Sequence, residues 1–302
     1  MSRGEAKPNR SGVEAAGHGA VDHSIVEAFR RDGAVPIRGL LSAAQVETLR
    51  RGIERNRAEP GPLAQGHGAG QTFFEDFCNW DRISEYETVI HEAGLGQLAA
   101  SLVGAQTVRL FHDHVLVKEA GSEEPSPWHQ DQPYYCVEGR QNVSLWIPVD
   151  PVGRENTLEF VAGSHASGTW YMPRTFVSQT ALVFDEGELA EVPDIDAARV
   201  DHEILGWELQ PGDAVAFHML TLHQAGGSPT LRRAFSVRLL GDDARYAPRP
   251  HPTSPPFPGL ESELAPGDPF DNPRFPILHR RQSSGEIGRS QEKPDDTAGA
   301  LR

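Results

Sequence analysis

The chain has 302 residues, 38% hydrophobic and 24% charged, with a net charge of -15, which suits one large domain or at most two. Nucleic acid is disfavoured as a partner, because phosphate backbones are bound through dense Lys and Arg, and no run approaches the roughly 18 apolar residues of a membrane span. Two cysteines, Cys78 and Cys136, exclude a disulfide scaffold and a four-cysteine zinc site; the first residues lack an apolar signal segment, so a cytoplasmic protein is expected.

In chain order, residues 1–20 are polar, small and aperiodic and are expected to lack fixed structure, as are residues 282–302, leaving a folded domain over 21–281. Its first part, 21–105, reads as helical. Ser24 with Glu27 suggests a capping box and Gly33 a helix stop; Ser42 with Gln45 repeats the signal ahead of Val46, Leu49 and Ile53 on one face. Ser84 with Glu87 opens a third helix, and GLGQLAASLVG forms a fourth, separate or fused. From Thr107 the pattern changes to short runs rich in β-branched and aromatic residues, namely TVRLFHDHVLVK, VSLWIPVD, TLEFVAGSH, EILGWELQ, DAVAFHML and AFSVRLL. These are strands, separated by turn residues such as Pro211-Gly212-Asp213, and their spacing over 106–241 suggests a jelly-roll or barrel. The proline-rich stretch over 242–281 suits an extended segment wrapping the surface. The fold class expected is therefore mainly β with flanking α-helices.

The chemistry concentrates in Ser126-Pro127-Trp128-His129-Gln130-Asp131. If this segment is extended, His129 and Asp131 at i and i+2 point the same way and can share one ion. His223, in Thr221-Leu222-His223-Gln224, is the best third ligand. Two imidazoles and a carboxylate leave three octahedral positions open, which suits iron(II) with a 2-oxo acid on two of them and O2 on the third. His-X-Asp alone is a weak signal, but Arg232 and Arg233 follow His223 closely, and a guanidinium there can grip the far carboxylate of 2-oxoglutarate. If Leu231 to Ser236 is one strand, Arg232 shares a face with Ala234 and Ser236, and Arg233 shares the other with Phe235, which favours Arg232 as the anchor.

At these residues the sequence resembles the phytanoyl-CoA dioxygenase family over roughly 24–281: a Trp-His-X-Asp segment, a Gly-Ser-His segment and a distal histidine before an arginine. The resemblance implies a double-stranded β-helix (cupin-like) core, iron(II) and 2-oxoglutarate as cofactor and co-substrate, and an oxidised product released with succinate and CO2. His129, Asp131 and His223 match the metal positions, Arg232 best matches the co-substrate arginine, and Trp146 matches a pocket aromatic. Where members read Asn-Gly-Pro-Leu, this chain has Glu155-Asn156-Thr157-Leu158, which changes a turn and not a ligand. Relatives that halogenate have a small residue at the position of Asp131, so hydroxylation is favoured here, with ring closure, desaturation and epimerisation using the same triad.

His112 and His114 alternate on one strand face with Lys118, and either line the pocket or are structural; Lys118 either meets a carboxylate or ends a solvated strand. His218 competes with His223 but ends an apolar strand, and His165 reads as structural. Trp128, Tyr134, Tyr135 and Trp170 belong either to the cavity or to the core. The substrate is expected to be a small metabolite, because no Lys cluster marks an acyl-CoA site. The alternative is a cupin-like protein that binds a metal or ligand without turnover, which the arginine after His223 argues against.

Overall fold

The computed structural model describes residues 21–66, 70–123, 125–173 and 189–281, so the two terminal segments expected to lack structure lie outside the described residues. The helical beginning is present. Helix α1 (His23–Asp32) buries Ile25 and Phe29 and ends on Gly33, whose φ of 78° is the left-handed conformation expected of a helix stop. Its cap is not the Ser24 box, however: Asp22 accepts from the Ser24 N–H, and Glu27 pairs instead with Arg30. A carboxylate two residues earlier caps as well as a serine does.

Strand β1 (Ala34–Ile37) follows, then helix α2 (Ala43–Ala58), which has the expected Ser42–Gln45 capping box and buries Val46, Leu49 and Ile53. Strand β2 (Phe73–Phe77) precedes helix α3 (Ser84–Glu92), where Ser84 is the first helical residue and Ile83 occupies the cap without a side-chain bond. Gly94, at φ 68°, separates α3 from helix α4 (Leu95–Val103), so the last two helices are distinct. The region expected to be helical thus contains two strands.

The remaining strands are β3 (Thr107–Lys118), β4 (Ser126–His129), β5 (Val137–Glu138), β6 (Asn142–Pro148), β7 (Leu158–Val161), β8 (Ile204–Leu205), β9 (Ala214–Phe217), β10 (His223–Ala225), β11 (Arg232–Leu240), β12 (Arg245–Tyr246) and β13 (Ile277–Arg280). With β1 and β2 they form a seven-stranded sheet, β1-β9-β6-β11-β3-β13 with β2 also on β3, a four-stranded sheet, β4-β10-β7-β8, and a separate pair, β12-β5. Strands pair antiparallel within both of the larger sheets. This is the double-stranded architecture expected.

Alternation along the large sheet sorts its side chains into two layers. Val115, Val117, Leu145, Ile147, Phe235 and Val237 pack outward against the helices, where Leu49, Ile53, Tyr86 and Leu98 meet them in one core cluster. The inner face carries Trp146, Phe217 and Ala234, which join Leu158, Phe160 and Ala225 of the small sheet in a second cluster. Each fully buried large apolar side chain contributes roughly 1.5–3 kcal/mol, so the helical layer pins the register of β3, β6 and β11. A one-residue slip would turn every inward side chain outward.

The wrap after β11 packs Leu260, Leu264, Phe270 and Phe275 against Phe111, Tyr135 and Met219. Among the described residues no helix is long and apolar enough to cross a membrane.

Candidate active site

Strand β10 pairs with β4 so that His223 lies directly opposite His129, with ring centroids 4.1 Å apart. Asp131 joins them by a different route from the one expected. Strand β4 ends at His129, and Asp131 has helical dihedrals (φ -72°, ψ -46°) at the start of a short 3-10 turn, Gln132–Tyr134. The i, i+2 alternation of a strand is therefore not what aligns the pair. Instead the backbone N–H groups of Asp131 and Gln132 both donate to the Met219 carbonyl, at 2.8 and 3.0 Å, tying the turn to the loop before β10. Asp131 Oδ1 then lies 3.7 Å from His129 Nε2 and 3.7 Å from His223 Nε2. All three residues are buried, and one ligand atom from each falls within 4.8 Å of the others.

The hydrogen bonds select the ligand atoms. His129 Nδ1 donates to the Pro127 carbonyl at 2.7 Å and His223 Nδ1 to the Thr221 carbonyl at 2.9 Å, which puts the lone pair of each ring on Nε2, facing Asp131. Burial, with His223 beside it, pushes His129 down to about 3, and burial likewise lowers His223, so both rings are neutral near pH 7. Burial acts to raise Asp131, but the Arg238 guanidinium, the two histidines and the Ser144 hydroxyl outweigh it and hold the carboxyl below the usual range. Two neutral imidazoles and one carboxylate is the protonation state a divalent cation requires. A buried carboxylate beside two inward nitrogen lone pairs, all three rotamers fixed, fits such an ion.

Beside the triad lies a cavity enclosing about 840 Å³ of space, part of it open to solvent. Arg232 lines it. That side chain is 6% exposed, with its guanidinium carbon 5.9 Å from the Trp146 ring centre, and it donates to the Asn156 carbonyl. Among the described residues it has no acidic partner, and burial pushes its pKa down to about 10. A buried cation with no carboxylate is costly unless an anionic ligand completes it. The altered turn at Glu155-Asn156-Thr157-Leu158 meets Arg232 through a backbone carbonyl, so its side-chain changes leave that contact intact.

Arg233 does not line this cavity. It sits on the other face of β11, where Nη2 and Nε bind Asp150 at 2.7 and 3.0 Å and Nη1 binds Glu54 at 2.9 Å. Strand alternation is the reason.

Lys118 and His114 both line the cavity, as does Trp146. Lys118 Nζ donates to the Gly226 carbonyl at 2.9 Å, and His114 Nε2 lies 3.1 Å from Glu75 Oε2 with its ring stacked on Phe77 at 3.9 Å. His218 is held away from the triad: its Nε2 donates to the Arg140 carbonyl at 3.0 Å and its Nδ1 accepts from the Leu220 N–H at 3.0 Å. His165 packs under Gly33 and donates to the Arg30 carbonyl, a structural role. Tyr134 and Tyr135 face the cavity, whereas Trp128 packs in a separate cluster with Val161 and Leu222, and Trp170 stacks with Arg249.

Three polar residues of the site were not singled out from sequence. Arg238 was legible, because the alternation that selects Arg232, Ala234 and Ser236 reaches it next. Ser144 and Glu75 carry no comparable signal, since Ser144 is a lone hydroxyl in a strand and Glu75 lies in a stretch read as helical.

The phytanoyl-CoA dioxygenase (PhyH) family model matches residues 29–234. No curated protein sequence matches the chain significantly. Among solved structures, the non-heme alpha ketoglutarate dependent carbocyclase SnoK from nogalamycin biosynthesis is 24% identical with a TM-score of 0.68, covering 85% of this chain and 96% of its own. The epimerase SnoN, in complex with Fe3+, alpha ketoglutarate and nogalamycin RO, is 24% identical with a TM-score of 0.67, covering 85% and 98%. EctD from S. alaskensis, with 2-oxoglutarate and 5-hydroxyectoine, is 20% identical with a TM-score of 0.61, covering 88% and 92%. At these identities the likeness establishes the fold alone.

Proposed function

The chain belongs to the phytanoyl-CoA dioxygenase family, and from that premise we propose that it is an iron(II)- and 2-oxoglutarate-dependent oxygenase acting on a small organic molecule, with hydroxylation as its reaction. The observation that carries this reading is Arg232: a buried guanidinium without an acidic partner, facing the same cavity as the His129, Asp131 and His223 triad. A metal-binding module that only sequesters its ion has no use for a second, separately placed charge.

His129, Asp131 and His223 would hold the iron through Nε2, Oδ1 and Nε2. Iron bound there would supply oxygen activation coupled to the conversion of 2-oxoglutarate to succinate and CO2. Arg232 would take the far carboxylate of 2-oxoglutarate in a charge-assisted pair, with Trp146 supplying the flat wall beside it. Lys118, paired across from Arg232 on β3, adds a second positive group at that end of the cavity. Phe73, Phe77, Leu116, Tyr134 and Leu158 make much of the remaining wall apolar, which suits a compact substrate and excludes water from the site. The carbocyclase and epimerase among its structural neighbours show that this fold carries outcomes other than hydroxylation. Hydroxylation is preferred here because it needs no further group from the protein.

Purified protein given iron(II), 2-oxoglutarate and a metabolite extract under air should form succinate, together with a product one oxygen atom heavier than its precursor. His223→Ala should abolish both, while His218→Ala should retain iron binding. Succinate formation that persists in His223→Ala and is lost in His218→Ala would overturn the assignment of the distal ligand.

A further inference from the structure

We infer that Arg238 is a positioning residue that, with Ser144, ties down one oxygen of Asp131 so that the carboxylate presents only Oδ1 to the metal. The inference rests on the functional reading above. The two oxygens of Asp131 have different surroundings. Oδ2 accepts from Arg238 Nε at 3.1 Å and from Ser144 Oγ at 2.9 Å, while Oδ1 is the atom that faces both histidine nitrogens at 3.7 Å.

The need for such a lock follows from where Asp131 sits. Each histidine is fixed by its own Nδ1 through a bond to a nearby backbone carbonyl, of Pro127 or Thr221. Asp131 stands beyond the end of β4, in a turn, and among the described residues its side chain binds no backbone group. Arg238 and Ser144 come from the opposite sheet, from directly paired positions on β11 and β6, and do for the carboxylate what the carbonyls do for the rings. Arg238 is in turn aimed by Tyr135, whose hydroxyl lies 3.2 Å from Nε and whose ring meets Phe111 and His112 edge-on.

A role in stability alone explains this arrangement poorly. Arg238 is 5% exposed, and its Nη1 has no hydrogen-bond partner among the described residues. An apolar residue of similar volume generally stabilises a core as well as a buried ion pair does, and an orphaned buried donor is itself a cost. What the pair uniquely supplies is the orientation of Asp131. If both carboxylate oxygens were free to ligate, the second would compete for a position that the chelating co-substrate needs.

The test uses the whole chain without oxygen or substrate. Cobalt(II) is titrated into wild type, Arg238→Met, Arg238→Lys and Ser144→Ala, and the visible spectrum is recorded. Iron(II)-loaded samples are then titrated with 2-oxoglutarate and followed by the charge-transfer band of the chelate. Arg238→Met should still bind metal but show a cobalt spectrum shifted toward higher coordination, and should bind 2-oxoglutarate weaker by on the order of tenfold or more, the size typical of lost partners to metal ligands. Arg238→Lys, whose ammonium can donate to the same oxygen, should recover most of both signals. Ser144→Ala removes only an uncharged hydroxyl, so it carries the test if Arg238→Met does not fold, and should move in the same direction by a smaller factor. Wild-type spectra and wild-type 2-oxoglutarate affinity in the folded variants would overturn the inference while leaving the oxygenase reading intact. No charge-transfer band from wild type would overturn that reading and the inference with it.

Discussion

Two adjacent arginines, Arg232 and Arg233, do unrelated work, and substitution should separate them. Arg232→Ala removes a buried cation at the cavity that has no acidic partner among the described residues, and losing a charge-assisted contact of that kind costs on the order of 2–5 kcal/mol. Measured by steady-state kinetics, the KM for 2-oxoglutarate should rise about 30-fold or more. Arg233→Ala should leave that KM nearly unchanged and lower stability modestly, since it loses a partly exposed pair with Asp150. The reverse ranking would refute the assignment. This choice was legible in sequence because β11 is regular from Arg232 to Arg238, so parity alone decides which guanidinium faces inward. The same argument failed for Asp131. Its role was legible from the residue types in Trp-His-X-Asp, but the strand stops before it, and the turn that brings Oδ1 into place depends on the Met219 carbonyl, far along the chain. Contacts of that range leave no local trace. Arg238 falls between these cases, visible by parity but with a partner, Asp131, that only the closed fold reveals.

Strands β3, β6 and β11 form the floor of the site, and their outward faces hold them in register. Phe235 is fully buried against the helices, its ring stacked on Tyr86 at 4.5 Å, one residue from the inward Ala234 and three from Arg232. Phe235→Ala should therefore cost about 3–5 kcal/mol in urea unfolding, the range for deleting a buried aromatic ring. The folded fraction should still bind metal with near wild-type affinity, because His129 and His223 lie on the other sheet and Asp131 in the turn after β4; a loss of metal binding without a loss of stability would contradict this division of labour. Long strands with β-branched and aromatic residues announce themselves, which is why β3, β6 and β11 were read correctly from sequence. Some of the short ones did not. Strand β1 carries Pro36, which a central strand would not tolerate, and it survives because it is the edge of the sheet, paired on one side only with β9. Strand β2, FFEDF, is five residues among helical stretches, and its pairing with β3 is a tertiary fact. EILGWELQ contributes the two-residue strand Ile204–Leu205 and, at Leu209, a single bridge to Val152.

The site joins the two sheets of the molecule. The two histidines proposed as ligands come from β4 and β10 of the small sheet, whereas Arg232, Lys118, Trp146 and Arg238 come from the large one. A metal alone would tie together strands of one sheet; 2-oxoglutarate held between that metal and Arg232 would bridge both. Bound ligand stabilises a fold by about 2.7 kcal/mol at a hundred times its Kd. Thermal unfolding should accordingly rise with a divalent metal, rise further when 2-oxoglutarate is added to the metal-loaded protein, and change little with 2-oxoglutarate alone. Equal shifts from 2-oxoglutarate with and without metal would mean that it binds somewhere else. The most direct test of the central claim is the anomalous diffraction signal at the iron edge from crystals grown anaerobically with iron(II) and 2-oxoglutarate. The account predicts one strong peak per chain, in contact with His129 Nε2, Asp131 Oδ1 and His223 Nε2, with the far carboxylate of 2-oxoglutarate on Arg232. A peak bound through other residues, or 2-oxoglutarate ordered away from Arg232, would contradict it.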